Sequence, residues 1–332
     1  MTVRGGAPLK ILVVALDNLG DAVMASSILA PLKRLFPESK VGIWVKDYAA
    51  ELFDAHPSID AVHACDPFWD RSPGKAKGAL GPFLRAWNEI RKERYGAALI
   101  LNAEWRRVLC CELAGIPRRV GYRGRKSGFF LSDAFDPPAE GAHFSDEHRG
   151  LLERFGGEPL AAEECLPRLV VAERDERWWR SWSEEKGLRE GEFTVLHLFS
   201  GDEEKNWPLT AWAELIRRRP EDRFVALCGP GEKARLGPLR TELARPGVEL
   251  LAAPSLGRLK AALSRARLVV GGDSGPEHAA AALGTNVLSL FGPTNPRRSG
   301  PRGPGKLKVL IRAPLRDLPV EEVLAAMAGF LL

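Results

Sequence analysis

The chain has no apolar run long enough to cross a bilayer. Its most hydrophobic segments, "KILVVAL" and "GTNVLSLFG", fall far short of the roughly 20 residues that a membrane helix needs. Cysteine is scarce as well. The five present (Cys65, Cys110, Cys111, Cys165 and Cys228) are odd in number and never spaced as CxxC, which argues against a disulfide framework and against structural zinc. The opening "MTVRGGAPLK" has no apolar core of the secretory kind, so a reduced, cytoplasmic protein is expected. The first strand is not followed by GxGxxG, which counts against a nicotinamide dehydrogenase. There is no solenoid period and no nucleic-acid-binding motif.

What is present is an ordinary globular composition. Of 332 residues, 45% are hydrophobic and the mean hydropathy is −0.16, enough for two cores of about 150 residues each. The net charge of +5 is unevenly placed. From Arg71 to Lys126 fourteen Lys or Arg face four Glu, so the remainder of the chain is slightly acidic. Such a block suits an anionic partner, whether a charged substrate or an anionic membrane surface. Solvated helix faces are the plainer reading of its individual residues.

Short β-branched runs alternate with amphipathic stretches, the pattern of parallel sheets with crossover helices. "KILVVAL", "KVGIWV", "IDAVHAC" and "AALIL" read as strands of a first doubly wound domain. "FTVLHLF", "RFVALCG", "VELLA", "RLVVGG" and "NVLSLFG" read as strands of a second. Residues 124 to 170, rich in turn chemistry, read as the passage between them. The final "PVEEVLAAMAGFLL" is an amphipathic helix with a Leu, Met and Phe face to bury.

Ligands of open parallel sheets bind beyond the carboxyl ends of the strands, so the loops there are the places to look. In "VVGGDSGPEHAAAALG", Ser274 and Glu277 have capping-box spacing, with Pro276 in the first turn. Gly271, Gly272 and Gly275 strip side chains from a helix start whose bare amides suit phosphate, while Asp273 suits neutral sugar hydroxyls. "FSGDEEKNWPLTAW" offers the Ser200 hydroxyl and the Lys205 cation; from this loop alone, Lys205 pairing with Asp202, Glu203 or Glu204 is the simpler reading. "CGPGEKARL" puts Glu232 at a helix start, where a carboxylate suits either the helix dipole or a ribose diol. In "ALDNLGDAVMAS", Asp21 reads as a helix N-cap or as a carboxylate available for chemistry, with Asp17 in the same turn.

Taken together, these loops resemble glycosyltransferase family 9, the lipopolysaccharide heptosyltransferases. "ILVVALDNLGDAVMASSILAPLKRLFP" is similar to the family's opening strand, Gly-Asp turn and helix; "EEKNWPLTAWAEL" to its Lys-x-Trp-Pro segment; and "LCGPGE" to its glycine turn. "ARLVVGGDSGPEHAAAALGTNVLSLFGPTNP" is similar to its Asp-Ser-Gly-x-x-His and Phe-Gly-Pro-Thr motif. The resemblance spans residues 10 to about 300. It implies an α/β protein of the GT-B fold, two Rossmann-like doubly wound domains facing across a cleft. Residues 1–165 would bind acceptor, residues 166–319 would bind the nucleotide sugar, and the helix 320–332 would pack back on the first domain. It also implies inverting transfer of heptose from ADP-heptose to a lipopolysaccharide inner-core acceptor, without metal or other cofactor.

By the same resemblance Asp21 would be the general base, Lys205 a phosphate-binding lysine, and Glu232 the nucleoside-binding carboxylate. Asp273 would contact the sugar, Ser274 and Gly275 would supply amides to the diphosphate, and Ser200 and the motif histidine His278 would complete the donor-binding set, His278 by fixing the loop. Of the basic residues Arg71, Lys75, Arg106, Arg107 and Arg123, the candidate acceptor contacts are Arg106, Arg107 and Arg123. The implied partners are a nucleotide-diphosphate sugar donor and an anionic glycolipid, with peripheral contact at the cytoplasmic face of the inner membrane and no nucleic acid. A non-catalytic sugar-nucleotide-binding protein and a nucleotide-sugar epimerase of the same fold are the alternatives. The first has no need of Asp21, and the second releases a free epimer without an acceptor.

Overall fold

The structure is a computed structural model that describes residues 8–70 and 78–330. The chain divides into two compact units, one ending at Pro167 and one beginning at Arg168. Arg71 and Lys75 lie outside the described residues.

The first unit is a parallel sheet of β1 (Lys10–Ala15), β2 (Lys40–Val45), β3 (Ala61–Ala64), β4 (Ala97–Ile100), β5 (Arg118–Tyr122) and β6 (Asp133–Phe135), in the order β3-β2-β1-β4-β5-β6. β1 is central, with Ile11 opposite Val41 on one side and Ala97 on the other. Ile11 to Val14 are fully buried because helices cover both faces, which is why the strand reads as a continuous apolar run rather than an alternating one.

The second unit repeats the plan with β7 (Phe193–His197), β8 (Arg223–Cys228), β9 (Val248–Ala252), β10 (Leu268–Gly272), β11 (Val287–Phe291) and β12 (Leu307–Ile311), ordered β12-β11-β10-β7-β8-β9. Counted from β7, this is the order of the first unit. Each sheet therefore reverses direction at one switch point, between β1 and β4 and between β7 and β10, and each switch point opens a crevice at the carboxyl ends of those strands.

Two sequence expectations are corrected. β5, β6 and β12 are absent from the sequence reading: β6 has only three residues, and every residue of β12 is partly or wholly exposed, so neither carries a buried apolar run. The stretch 124–170 is not merely a passage, since it holds β6 and the helix Phe144–Gly156. The terminal helix Val320–Ala328 buries an apolar face, as its pattern predicts. Val320, Val323, Ala326 and Met327 lie in the core of the second unit, and the preceding Leu318 carbonyl accepts from Trp207 Nε1 at 2.9 Å. The tail is thereby tied to the Lys-Asn-Trp-Pro loop, and Trp207, stacked edge-on against Trp212 at 4.8 Å, becomes part of that core.

Candidate active site

In the first unit the loop after β1 sits at the β1/β4 switch point. Asp17 is gripped from β4's side: Arg107 donates from Nη1 to Asp17 Oδ2 at 2.8 Å and from Nη2 to Oδ1 at 2.9 Å, and Nη2 also reaches the Leu16 carbonyl at 2.8 Å. Asn102 Nδ2 adds a bond to Asp17 Oδ1 at 3.1 Å. This bidentate, largely buried pair fixes the loop in one geometry. Arg107, expected among the acceptor contacts, is in this structure bonded to the loop after β1.

Asp21 lies in the third position of the helix Leu19–Ala25, not at its N-cap. Asn18 is the cap, and Asp21 Oδ2 accepts from the Asn18 backbone N–H at 3.1 Å. The helix is otherwise buried along Ala22 to Ala25, so Asp21 lies at its partly exposed rim.

The other basic candidates are on the surface. Arg106 lies over the Trp105 ring at 4.5 Å and donates to Glu104. Arg123 meets Asp136 at 3.4 Å with both side chains mostly exposed, a pair of little energetic weight. Beside Arg123 the chain turns tightly through Ser127, whose Oγ accepts from Gly124 N–H at 2.8 Å. Phe130 stacks toward Trp105, while Phe129 is 90% exposed next to the exposed Arg123, Arg125 and Lys126.

In the second unit the loops after β7 and β10 meet at the β7/β10 switch point. Lys205 Nζ donates to Asp273 Oδ2 at 2.7 Å, across 68 residues of sequence, rather than to its neighbours Asp202, Glu203 or Glu204. His278 Nε2 stands 3.8 Å from Asp273 Oδ1. Burial on its own would raise the Asp273 pKa, but His278, Lys205 and Thr294 outweigh it and hold the carboxyl down to about 2. Asp273 is thus an ionised acceptor. Lys205 spends one of its three protons there and retains two more donors for a ligand.

The capping box expected of Ser274 and Glu277 does not form. Ser274 caps the helix Gly275–Ala282 without a side-chain hydrogen bond, and Glu277 Oε1 bonds His197 Nδ1 at 2.9 Å instead. Both partners are buried. Burial opposes a charge on His197, yet the Glu277 carboxylate outweighs it and raises the imidazole pKa overall, so the contact favours the protonated ring.

The two glycines that end β10 have a reason different from the one their sequence suggests. A Cβ on Gly271 would lie 1.8 Å from Glu277 Oε1, and one on Gly272 would lie 2.7 Å from the Lys205 carbonyl. They make room for the protein's own groups, and that close approach is what brings the Lys205 loop to Asp273.

The other donor-side candidates make local contacts. Ser200 N–H donates to Asn206 Oδ1 at 2.6 Å, and its Oγ donates to the Asp202 carbonyl at 2.7 Å, which shapes the loop that carries Lys205. Glu232 Oε2 accepts from Gly229 N–H at 2.5 Å and closes the glycine turn after β8.

Around Asp273 two buried polar atoms have no hydrogen-bond partner among the described residues: Asn206 Nδ2 and His278 Nδ1. Each such atom costs about 1–3 kcal/mol unless something else satisfies it. At this switch point a polar ligand is one group that can satisfy them. Glu277, His197 and Thr294 were not singled out as site residues by the sequence. The spacing of Ser274 and Glu277 pointed to a local cap and concealed the contact with His197.

The family model for glycosyltransferase family 9 (heptosyltransferase) matches residues 83–319. Lipopolysaccharide heptosyltransferase 1 of Pseudomonas aeruginosa is 39% identical over 308 residues, covering 89% of this chain and 82% of that protein. Lipopolysaccharide heptosyltransferase 2 of Escherichia coli is 24% identical over 302 residues, covering 87% and 84%. Among solved structures, a family 9 glycosyl transferase from Veillonella parvula superposes with a TM-score of 0.85 at 19% identity, covering 98% and 97% of the two chains. E. coli heptosyltransferase WaaC with ADP gives 0.75 at 20% identity, covering 97% and 100%. The two doubly wound α/β units are those of the GT-B fold, and the chain is a glycosyltransferase that belongs to family 9, the heptosyltransferase family.

Proposed function

We propose that the protein transfers heptose, with inversion, from ADP-heptose to an inner-core acceptor of lipopolysaccharide. The observation that carries this reading is the second unit's cluster: an ionised Asp273, a lysine with donors to spare, and an uncapped helix start at one switch point. A diphosphate-sugar has matching chemistry, with anionic oxygens for Lys205 and the amides at Ser274 and Gly275, and sugar hydroxyls for Asp273. The names of the relatives and the WaaC structure with ADP support the donor and the acceptor class.

In the proposed step the acceptor hydroxyl loses its proton to the Asp21 carboxylate while its oxygen bonds to the anomeric carbon. The bond from that carbon to the diphosphate oxygen breaks from the opposite face, and ADP departs with the electron pair. Lys205 and the helix amides hold the charge that develops on the departing diphosphate. Glu232 is assigned to the nucleoside and His278 to fixing Asp273. Arg106 and Arg123 are assigned to the anionic acceptor. The first unit thus has the acceptor role, and the second the nucleotide-sugar role.

Lys205→Ala is expected to weaken ADP binding by about 1.5–3 kcal/mol, the usual worth of a charged hydrogen bond, and to leave adenosine binding nearly unchanged. Calorimetry with both ligands reads this directly. Equal losses for the two would remove Lys205 from the phosphate site.

No helix among the described residues is long and apolar enough to cross a membrane. We propose that the acceptor's bilayer is met peripherally, at the cytoplasmic face, through the loop that displays Phe129 among Arg123, Arg125 and Lys126. An aromatic ring seats at the headgroup boundary while the cations meet anionic lipid. Phe129→Ser is expected to reduce co-sedimentation with phosphatidylglycerol vesicles several-fold. Unchanged co-sedimentation would sink the assignment.

A further inference from the structure

Ser274 and Glu277 have the spacing that normally closes a helix start upon itself. In that arrangement the glutamate accepts from the cap's N–H while the serine hydroxyl accepts from the glutamate's N–H. A carboxylate so placed would occupy the position that an anionic ligand needs, and would oppose that ligand by charge. Neither bond forms here. Glu277 is instead drawn to His197 at the end of β7, at 2.9 Å, into space that exists only because Gly271 has no side chain. The pair is isolated from solvent, with Glu277 at 1% and His197 at 7% exposure. Its charges therefore cancel each other rather than being screened by water. Among the described residues Glu277 Oε2 has no hydrogen-bond partner, and Oε1 is directed to His197.

We propose that His197 is a positioning residue that keeps the first turn of the helix Gly275–Ala282 open to the diphosphate of a nucleoside diphosphate, by holding Glu277 in a buried ion pair. The inference rests on the reading of that turn as the diphosphate site. It assigns Glu277 no contact with the ligand. Its carboxylate is a competitor for the site, and His197 neutralises it and turns it aside.

A double substitution tests this with a sign that simple packing does not produce. His197→Leu releases an unpaired carboxylate within the first turn and is expected to weaken ADP binding about tenfold while adenosine binding is retained. Adding Glu277→Gln to that background removes the competing charge and should restore most of the lost ADP affinity. Glu277→Gln alone should keep ADP affinity within about threefold, although it loses the ion pair. Calorimetry of each variant with ADP and adenosine, with thermal melting as the check on folding, gives the answer. If His197→Leu does not fold, His197→Gln with and without Glu277→Gln supports the same comparison, because glutamine can still donate to the carboxylate but cannot neutralise it. A double variant that binds ADP no better than its His197 parent would overturn the role of His197. Wild-type protein that binds ADP no more tightly than adenosine would instead overturn the diphosphate reading, and the role of the pair with it.

Discussion

Asp21→Asn is expected to lower turnover about 10²- to 10⁴-fold, with folding and ADP binding left near wild type. The two functions of the side chain separate cleanly at this position. Asp21 Oδ2 accepts from the Asn18 N–H, and the amide oxygen of asparagine can accept the same bond in nearly the same shape. An amide cannot take a proton from the acceptor hydroxyl. A residue that only stabilised the helix start would therefore tolerate the change in both activity and melting temperature. Alanine would remove both roles at once and could not distinguish them. Single-turnover measurement with saturating donor avoids any contribution from product release. Near-normal rates with normal melting would exclude Asp21 as the base.

Asp17→Asn is expected to give the opposite pattern, a loss of about 3–5 kcal/mol in stability, because it breaks a buried bidentate pair and leaves a guanidinium without its counter-charge. The Arg107 side chain is only 11% exposed and that of Asp17 only 21%, so water replaces little of what is lost. Arg107→Met should cost less, since it removes the charge that would otherwise be stranded, although Asp17 then loses its partner. Urea unfolding of both variants gives the comparison. A change below about 0.5 kcal/mol for Asp17→Asn would mean that the pair contributes no more than an ordinary surface contact. Asp17 and Asp21 are four residues apart in one turn, and on sequence alone either is a candidate base. The structure separates them by giving Asp17 an arginine and leaving Asp21 at the partly exposed rim.

The sequence shows the two-unit α/β plan because buried parallel strands are long apolar runs bounded by turn residues, and nine of them are visible in that way. β6 and β12 escape because strand identity there comes from pairing with β5 and β11 rather than from burial. The loops that carry Lys205, Asp273 and Asp21 are legible for a related reason: they follow the strands that flank the switch points. What those residues touch is not legible. Lys205 has three acidic neighbours within reach in sequence, yet it pairs with Asp273, a choice made by the approach of two backbones over Gly272. Glu277 has a textual partner in Ser274 and a physical one in His197, 80 residues away. Arg107 belongs to a basic block that suggests an anionic ligand, and within the protein it bonds Asp17, 90 residues away. Each of these differences is a long-range ion pair, and local spacing carries no signal for it.

The central claim is tested most directly by incubating the purified protein with ADP-heptose and a heptose-deficient core acceptor, followed by mass spectrometry and by NMR of the new linkage. The predicted result is acceptor heavier by one heptose, one ADP released for each transfer, and an anomeric configuration opposite to that of the donor. Free sugar or an epimer formed without acceptor, or a product that retains the donor's configuration, would contradict it.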